Sequence, residues 1–422
     1  MIFSEEINED FYPLAKSKVI KEFLEVLYIF FIMKYVKYQF LVCVATVSLF
    51  AGCVSSTQQQ NQLTKNAEKH RIPMIYSSDL FQPPDDPDDH YDLAMLFSLE
   101  EIELKAMIFD LASTRRQKEE VGKNALEQLT KITGHSPVPW KIGLRNPLLS
   151  PDDKALDQPQ EYQGGVELIL STLEQSEEKV VMFLVGSCRD FVVAFNRNPD
   201  LLKRKVKAIY VNAGNGSKGI QTEWNVTLDP YAYAGLMMSG LPIYWCPCFT
   251  DTYTICTPEE IAAGKAFYTY YLVPNQAELL ASASKPVKNY FGYALYGLRE
   301  EPLGYLNREP LLLPEGERNM WCTGPFLHAA GREIYQTQNG QWIACTPEKA
   351  KTMGITSPPV EVFHFEPVHV KYQMKDVKGK QLPEFLDADH ADPTAPVQVF
   401  RYTNPDYNAI MASVLAGILE TL

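Results

Sequence analysis

Carboxylates crowd a short stretch that follows the first apolar segment of the chain. That segment, IPMIYSSD (72–79), ends in Asp79. The aspartates that follow it closely are Asp85, Asp86, Asp88, Asp89 and Asp92. So many carboxylates repel one another unless water or a cation separates them, and calcium prefers six to eight oxygen ligands. The residues alone leave two interpretations open: a calcium site, or a solvated acidic loop whose last aspartates cap the next helix.

A polar pair further along the chain has the spacing of a sugar-binding site. In QTEWNVTLDPYAYAGLM (221–237), Glu223 and Asn225 are two residues apart. In an extended chain both side chains point the same way and can hydrogen-bond adjacent hydroxyls of a sugar. A surface loop around Trp224 is an equally good interpretation. Asp229-Pro230 is typical of a helix N-cap followed by proline at the first helical position.

Strands and helices alternate along the body of the chain, and their order predicts where these side chains are placed. The segments predicted as buried strands are 72–79, 104–110, 137–143, 179–186, 206–213 and 241–247. The segments with a helical period are 93–101, 119–132, 165–175 and 230–238. Near-continuous apolar strands between helices predict an α/β fold with a mainly parallel, Rossmann-like sheet that helices cover on both faces.

Ligands of such sheets bind beyond the carboxyl ends of the strands, so the chemistry is expected there. Asp79 ends the first strand, and the turn GSCRDFVVAF (186–195) leads from the fourth strand into a helix. That turn either presents backbone carbonyls to a cation at this edge or is a plain connection capped by Asp190.

Together these motifs resemble the inosine/uridine-preferring nucleoside hydrolase family. Residues 223–230, Glu-Trp-Asn-Val-Thr-Leu-Asp-Pro, match the family's Glu-Phe-Asn-x-x-x-Asp-Pro without a gap, with Trp in place of Phe. Residues 101–106, Glu-Ile-Glu-Leu-Lys-Ala, fix the register of the Asp88-Asp89 pair, which opens a helix after a longer loop than the family has. The resemblance covers residues 71–250 well and the remainder poorly.

The resemblance implies a role for each matched residue. Asp79 and Asp89 would bind calcium with the carbonyl near Arg189, and Asp88 would contact the sugar hydroxyl nearest the reacting carbon. The groups on the substrate side would be Asp88, Glu223, Trp224, Asn225 and His328. Carboxylates would stabilise the oxocarbenium charge of the ribosyl ring while a metal-held water attacks, with Asp79 as general base.

Two departures from the family pattern affect the predicted metal shell. The family's late His-Asp pair corresponds to His328-Ala329, so one carboxylate is missing, and His328 is expected to pack beside the site rather than bind metal. The usual Leu-Asp is also absent from Cys246-Pro-Cys-Phe-Thr250. Loss of a carboxylate lowers calcium affinity. The sequence leaves open whether Asp85, Asp86 or Asp92 substitutes.

The N-terminal part of the chain has the layout of an export signal. From Met33, two lysines precede an apolar run, and Leu49-Phe50-Ala51-Gly52-Cys53 resembles a bacterial lipobox, which predicts lipidation of Cys53. We therefore interpret 1–32 as lying before the true start, 33–53 as the signal peptide, 54–70 as a flexible tether and 71–422 as the hydrolase-like domain. The alternative, a single membrane anchor, is opposed by Lys34 and Lys37. Localisation is predicted as lipid-anchored to a bacterial membrane, periplasmic or on the cell surface.

Composition narrows the functional classes. The chain has 422 residues, 46% of them hydrophobic, and a formal net charge of -13, which excludes a basic footprint for nucleic acid. Our hypothesis is a hydrolase of the N-glycosidic bond of a ribonucleoside. A catalytically silent nucleoside- or sugar-binding lipoprotein and an O-glycoside hydrolase are the alternatives, and a homo-oligomer is left open. Residues 300–403 are expected to extend the same domain and 405–422 to form a closing helix. Six cysteines besides Cys53 could pair after export.

Overall fold

A computed structural model describes residues 71–80, 87–110, 119–251, 253–298, 300–309, 313, 315–387 and 396–422. The predictions for residues 1–70, including the signal peptide and Cys53, lie outside these residues, as do Asp85 and Asp86. Within the described ranges, no helix is both long enough and apolar enough to cross a membrane.

Fifteen strands and fourteen α-helices are assigned in these ranges. The strands are β1 (Ile72–Ser78), β2 (Ile102–Phe109), β3 (Trp140–Ile142), β4 (Val180–Val185), β5 (Val206–Asn212), β6 (Gly219–Ile220), β7 (Ile243–Cys246), β8 (Tyr271–Val273), β9 (Arg318–Met320), β10 (Glu333–Gln336), β11 (Trp342–Cys345), β12 (His364–Val368), β13 (Lys371–Val377), β14 (Lys380–Asp387) and β15 (Val397–Arg401). The helices are α1 (Asp88–Ser98), α2 (Glu119–Thr133), α3 (Gly164–Gln175), α4 (Arg189–Arg197), α5 (Pro199–Lys205), α6 (Trp224–Leu228), α7 (Pro230–Met237), α8 (Pro258–Ala262), α9 (Gln276–Leu279), α10 (Lys285–Leu295), α11 (Pro302–Tyr305), α12 (Thr323–Ala329), α13 (Pro347–Thr352) and α14 (Tyr407–Glu420).

The central sheet has eight strands in the order β12-β15-β7-β5-β4-β1-β2-β3. Every neighbouring pair is parallel except β12 with β15, which is antiparallel. The predicted α/β fold with a mainly parallel sheet is therefore confirmed. The strand order makes the carboxyl ends of β1, β4, β5 and β7 neighbours, and the segments that follow them carry the predicted site residues.

The apolar strands are buried on both faces, as a sheet between two helical layers requires. All six residues of β4 are buried, and successive residues of β1 join different cores: Tyr76 packs in one cluster and Ile75 in the other. Full burial of one such large side chain contributes about 1.5–3 kcal/mol. Helix α1 begins before the helical period at 93–101, and the expectation from the resemblance that Asp88-Asp89 opens this helix is confirmed.

The C-terminal part of the chain completes the same sheet. Strand β15 pairs in parallel with β7, and β12 adds the outer edge. The β13-β14 hairpin pairs with β6, the short strand just before Glu223. Helix α14 buries Tyr407, Ile410, Met411, Val414, Leu415, Ile418 and Leu419 in the core that contains Tyr76.

Candidate active site

The carboxylates of the acidic segment lie at the end of β1 and in the first turn of α1. Asp79 follows the last residue of β1, and Asp88 and Asp89 are the first two residues of α1. A helix N-terminus favours negative charge, which offsets part of the repulsion between these groups. Asp79 and Asp88 are half-buried, whereas Asp89 and Asp92 are buried.

A cysteine from a distant part of the chain packs against this acidic group. Burial raises the pKa of the Cys322 thiol, and the negative charge of Asp92, to which the thiol hydrogen-bonds, raises it further. Asp89 and then Asp88 add to the same effect. Cys322 is the N-cap residue of α12, so the start of α12 meets the start of α1. The Cys322 thiol is therefore neutral and lies next to the carboxylates.

A second cysteine connects the acidic group to the Glu-Trp-Asn motif. Burial raises the pKa of the Cys248 thiol, then the charge of Glu223 and a hydrogen bond to Glu223 raise it further, and the charge of Asp88 contributes as well. The Cys248 Sγ also lies 3.6 Å from the Asn212 Oδ1. Asp88 and Glu223, which are far apart in the sequence, thus come within electrostatic range of one buried side chain.

Hydrogen bonds from three backbone amides hold the Glu223 carboxylate in place. Its carboxylate accepts hydrogen bonds from the N–H groups of Gly214 at 2.9 Å, Asn225 at 2.9 Å and Val226 at 3.4 Å. Burial raises the pKa of Glu223, and these hydrogen bonds oppose that rise. The prediction of an extended Glu-x-Asn pair was wrong, because Glu223 is the N-cap of α6 and Asn225 lies within that helix.

Asn225 and Trp224 belong to the same helix but differ in their surroundings. The Asn225 Nδ2 donates to the backbone oxygen of Asn212 at 2.9 Å, which ties α6 to the end of β5. Trp224 is 48% exposed.

Gly214 has φ +84°, and a Cβ there would lie 2.3 Å from the Tyr233 hydroxyl, so the turn after β5 requires glycine.

The side chain of Arg189 supports the Glu-Trp-Asn segment through contacts with Asp229 and with backbone oxygens. Its Nε lies 2.8 Å from the Asp229 Oδ2, and its Nη1 donates to the backbone oxygens of Leu144 and Arg145. Asp229 is fully buried and also caps α7 through Ala232, as its predicted N-cap position implies. The guanidinium therefore compensates a buried carboxylate.

The predicted metal ligand near Arg189, a backbone carbonyl, stays a prediction. Arg189 is the first residue of α4, and the carbonyl before it, that of Cys188, already accepts the Val192 N–H at 3.1 Å. Carbonyls in a helix point toward its C-terminal end, so the first turn of α4 directs its own N–H groups toward the edge of the sheet.

His328 lies among aromatic side chains. Its Nδ1 is 2.7 Å from the Tyr210 hydroxyl, and its ring contacts Tyr244 and Phe365. Burial of the ring lowers the pKa of His328 to about 4, although part of the residue remains exposed. Tyr210 lies two residues before Asn212 on β5, which is roughly 7 Å toward the amino end of the sheet. A substrate contact for His328 stays a prediction.

The donor chemistry of the acidic group suits a hard cation, but its described part does not form a metal shell. Asp79, Asp88 and Asp89 supply carboxylate oxygens, which calcium prefers. Within the described ranges, however, no group of three or more His, Cys, Asp or Glu side chains is arranged to hold a metal ion. The six cysteines in these ranges, Cys188, Cys246, Cys248, Cys256, Cys322 and Cys345, are free thiols.

The sequence did not assign a role to the two thiols that line this region. Neither cysteine belongs to a motif with metal-site spacing, and the resemblance directs attention to His328-Ala329 rather than to Cys322. The available signal was the position of Cys322 immediately before a short helix that returns to the sheet, which only the packing of α12 against α1 makes visible.

The sequence is similar to that of known nucleoside hydrolases. The profile of the inosine-uridine preferring nucleoside hydrolases matches residues 85–299. The pyrimidine-specific ribonucleoside hydrolase RihA of Enterobacter sp. (strain 638) is 27% identical over 175 residues, which are 37% of this chain and 55% of the relative. RihB of Escherichia coli (strain K12 / DH10B), also named a pyrimidine-specific ribonucleoside hydrolase, is 27% identical over 124 residues, which are 29% and 38%. The matches thus span about half or less of these relatives.

Solved structures of similar proteins cover most of the chain. An inosine-uridine preferring nucleoside hydrolase from Bacillus anthracis has a TM-score of 0.44 at 12% identity, over 83% of this chain and 100% of the other. A purine-preferring ribonucleoside hydrolase from Gardnerella vaginalis has a TM-score of 0.43 at 15% identity, over 83% and 100%.

Proposed function

Because the chain belongs to the inosine-uridine preferring nucleoside hydrolase family, we propose that it hydrolyses the N-glycosidic bond of a ribonucleoside at the carboxyl end of its central sheet. The observation that carries this proposal is the position of Cys248, because the charges of both Glu223 and Asp88 raise the pKa of its buried thiol. A pocket between these groups would present carboxylates to one side of a sugar and the Glu-Trp-Asn segment to another.

The residues of the chain supply charge stabilisation and a base. Cleavage of a glycosidic bond develops oxocarbenium charge on the sugar ring, which a half-buried carboxylate such as Asp88 stabilises. Asp79 is the proposed general base, because it is a half-buried carboxylate at the carboxyl end of β1, directly after Ser78. Asn225, held to the end of β5, and the exposed ring of Trp224 would contact the substrate.

The proposed cofactor is calcium, bound by Asp79 and Asp89. When bound, the ion would orient the attacking water and acidify it weakly. The thiol of Cys322 hydrogen-bonds to Asp92 and lies within electrostatic range of Asp89 and Asp88, and a protonated thiol is a poor ligand for a hard cation. We therefore expect weaker calcium binding than a shell completed by another carboxylate would have.

A catalytically silent binding protein is the second candidate function. Cys322 favours it, because a protonated thiol is a poor ligand for calcium. Such a protein would retain the Glu-Trp-Asn segment, which backbone hydrogen bonds hold without any metal. It would bind a nucleoside without cleaving it.

Ribose release separates the two candidates. The full-length protein would be incubated with inosine, uridine and p-nitrophenyl riboside, each in calcium and in EDTA, while inosine binding is measured by isothermal titration. Calcium-dependent ribose release supports the hydrolase. Inosine binding without release, unchanged by EDTA, would reject hydrolysis in favour of the silent binder.

We propose further that the mature protein is anchored through a lipid on Cys53. The lipobox-like residues 49–53 support this. Metabolic labelling with palmitate should mark the wild-type protein and fail to mark Cys53→Ser. Equal labelling of both proteins would contradict the anchor.

A further inference from the structure

Four aromatic side chains form a cluster beside the candidate active site. The centre of the Phe249 ring lies 5.1 Å from that of Tyr253 and 5.8 Å from that of Tyr270. Trp321 completes the cluster, with its ring 6.1 Å from Phe249 and 5.7 Å from Tyr270. Ring centres about 4.5–7 Å apart are typical of favourable aromatic pairs. We call these four residues the aromatic platform.

The aromatic platform is anchored on one side and open to solvent on the other. Tyr270 and Trp321 are half-buried and pack against the core that contains Tyr76. The Tyr270 hydroxyl also donates to the Asn319 Oδ1 at 2.9 Å. Tyr253, in contrast, is 56% exposed. The anchored rings therefore hold their positions, while the Tyr253 ring leaves apolar surface available to a ligand.

Backbone contacts place the aromatic platform at the carboxyl end of the central sheet. Phe249 belongs to the segment that follows β7. In that segment the Cys248 N–H donates to the Gly214 oxygen at 2.9 Å, and the Phe249 oxygen accepts the Gly216 N–H at 2.9 Å. Gly214 is also the residue whose N–H binds the Glu223 carboxylate. The platform and Glu223 are therefore held by the same turn after β5.

Side chains of the aromatic platform also connect it to both sides of the candidate active site. The Trp321 Nε1 donates to the backbone oxygen of Cys248 at 3.1 Å, and Trp321 directly precedes Cys322, which lies next to the acidic group. Burial raises the pKa of the Tyr253 hydroxyl, and the charge of Glu223 raises it further. The Tyr253 phenol is therefore within electrostatic range of the Glu-Trp-Asn segment.

The backbone of Tyr253 is unfavourable for a tyrosine. Its φ is +53°, in the left-handed region that favours glycine. The Thr250 N–H donates to the Thr254 oxygen at 3.2 Å, so a tight loop imposes this conformation. Strained backbone of this kind concentrates at functional sites. Because the exposed Tyr253 ring contributes little packing that would offset the strain, this position indicates a role for the ring in binding.

We propose that the aromatic platform binds the leaving group of the substrate and selects a planar aromatic base, with a bicyclic purine preferred over a monocyclic pyrimidine. The sugar would lie between Asp88 and Glu223, and the base would stack on the Tyr253 ring. The platform offers mainly ring surface, so the contact grows with the area of the base. This inference rests on the proposed binding of a nucleoside, but it does not require cleavage of the bond.

Formycin B and pseudouridine test the proposal without turnover, because a C–C bond joins their bases to ribose. The first carries a bicyclic base and the second a monocyclic one. Isothermal titration of the full-length protein in calcium would measure both affinities, with ribose as the probe of the sugar contacts alone. We expect formycin B to bind about fivefold or more tightly than pseudouridine, and ribose to bind more weakly than either.

Equal affinities for formycin B and pseudouridine, or no binding of either at millimolar concentration, would overturn the proposal. Ribose release from inosine together with equal affinities would leave the proposed function standing and reject only the platform. Binding of formycin B in the expected order without ribose release from inosine would support the platform and reject hydrolysis.

Variants at Tyr253 assign the effect to its ring. Tyr253→Gly removes the ring and suits the left-handed backbone, so the variant should keep the wild-type melting temperature. It should bind formycin B about tenfold more weakly and ribose as tightly as the wild type, whereas Tyr253→Phe should keep the affinity for both. Met353→Ala at the end of α13 removes a side chain that is also 56% exposed and is the matched control. Wild-type affinity for formycin B in Tyr253→Gly, or an equal loss of ribose affinity, would refute the assignment.

Discussion

The segment from Asn212 to Asp229 and the acidic group around Asp88 form two sides of the candidate active site, and they are held in place by different means. The first is a local structure: Glu223 caps its own helix, and Asn225 bonds back to the strand just before it. The second depends on a contact with Cys322, more than 200 residues away in the sequence. A locally held segment can retain its geometry while the side that depends on a distant partner changes its chemistry.

The largest expected effect concerns the support of the locally held side. Arg189→Met leaves the buried carboxylate of Asp229 without its cation, which should destabilise the protein by about 3–5 kcal/mol. Thermal or urea unfolding measures this. Lys123→Gln, which breaks an exposed pair with Glu127, should change stability by less than about 0.5 kcal/mol. Equal effects of the two changes would show that Arg189 is not an anchor.

The acidic side can be given an additional carboxylate. Cys322→Asp places a carboxylate beside Asp92 and within electrostatic range of Asp89 and Asp88, so calcium affinity should rise by about tenfold or more. In EDTA the same variant should melt at a lower temperature than the wild type, because the added charge repels its neighbours. Calcium titration calorimetry and melting curves check both effects. Cys256→Asp, a change outside the acidic group, is the control. Unchanged calcium affinity in Cys322→Asp would contradict the proposed position of the ion.

Glu223→Gln probes the locally held side itself. A glutamine amide cannot accept all the N–H groups that the carboxylate accepts, so the change should cost about 1–3 kcal/mol and raise KM for inosine. Unfolding curves and ribose-release kinetics measure the two effects. Wild-type stability in this variant would contradict the capping role.

The smallest effect is a pH dependence of stability. Burial raises the pKa of Asp190 to about 7, and the Leu144 N–H donates to its carboxylate. A folded-state pKa above the unfolded value makes ionisation oppose folding. The free energy of unfolding should therefore fall as the pH rises from about 4 to about 7 and level off above it. Asp190→Asn should flatten part of this slope in urea titrations between pH 4 and pH 8. An unchanged slope would show that Asp190 is ionised throughout.

Much of the fold could be predicted from the sequence, because the patterns that specify it lie within short segments of the chain. The predicted strands at 72–79, 179–186 and 206–213 correspond to β1, β4 and β5 within a residue or two, because apolar runs bounded by turns specify buried strands. The pairing of β15 with β7 did not follow from the sequence, since it joins segments that are far apart in the chain and no local period encodes it.

The candidate active site likewise has a part that local sequence patterns predict and a part that they do not. The N-cap at Asp229 was predictable from the Asp-Pro pair, because capping is a local interaction. The helix at 224–228 was not, because the Glu-x-Asn spacing also suits an extended chain or a surface loop, and the Gly214 N–H that holds Glu223 belongs to the preceding turn. The contacts of Cys248 and Cys322 required the tertiary structure, because they join four separate segments of the chain.

The most direct test of the proposed site is the rate of ribose release from inosine by Asp88→Asn in the full-length protein, compared with Asp157→Asn, a control at an exposed carboxylate. The change keeps the size of the side chain and removes its charge. We predict that kcat falls at least a hundredfold in Asp88→Asn while its melting temperature stays near that of the wild type, and that Asp157→Asn keeps the full rate. Wild-type ribose release by Asp88→Asn would contradict the assignment of this site.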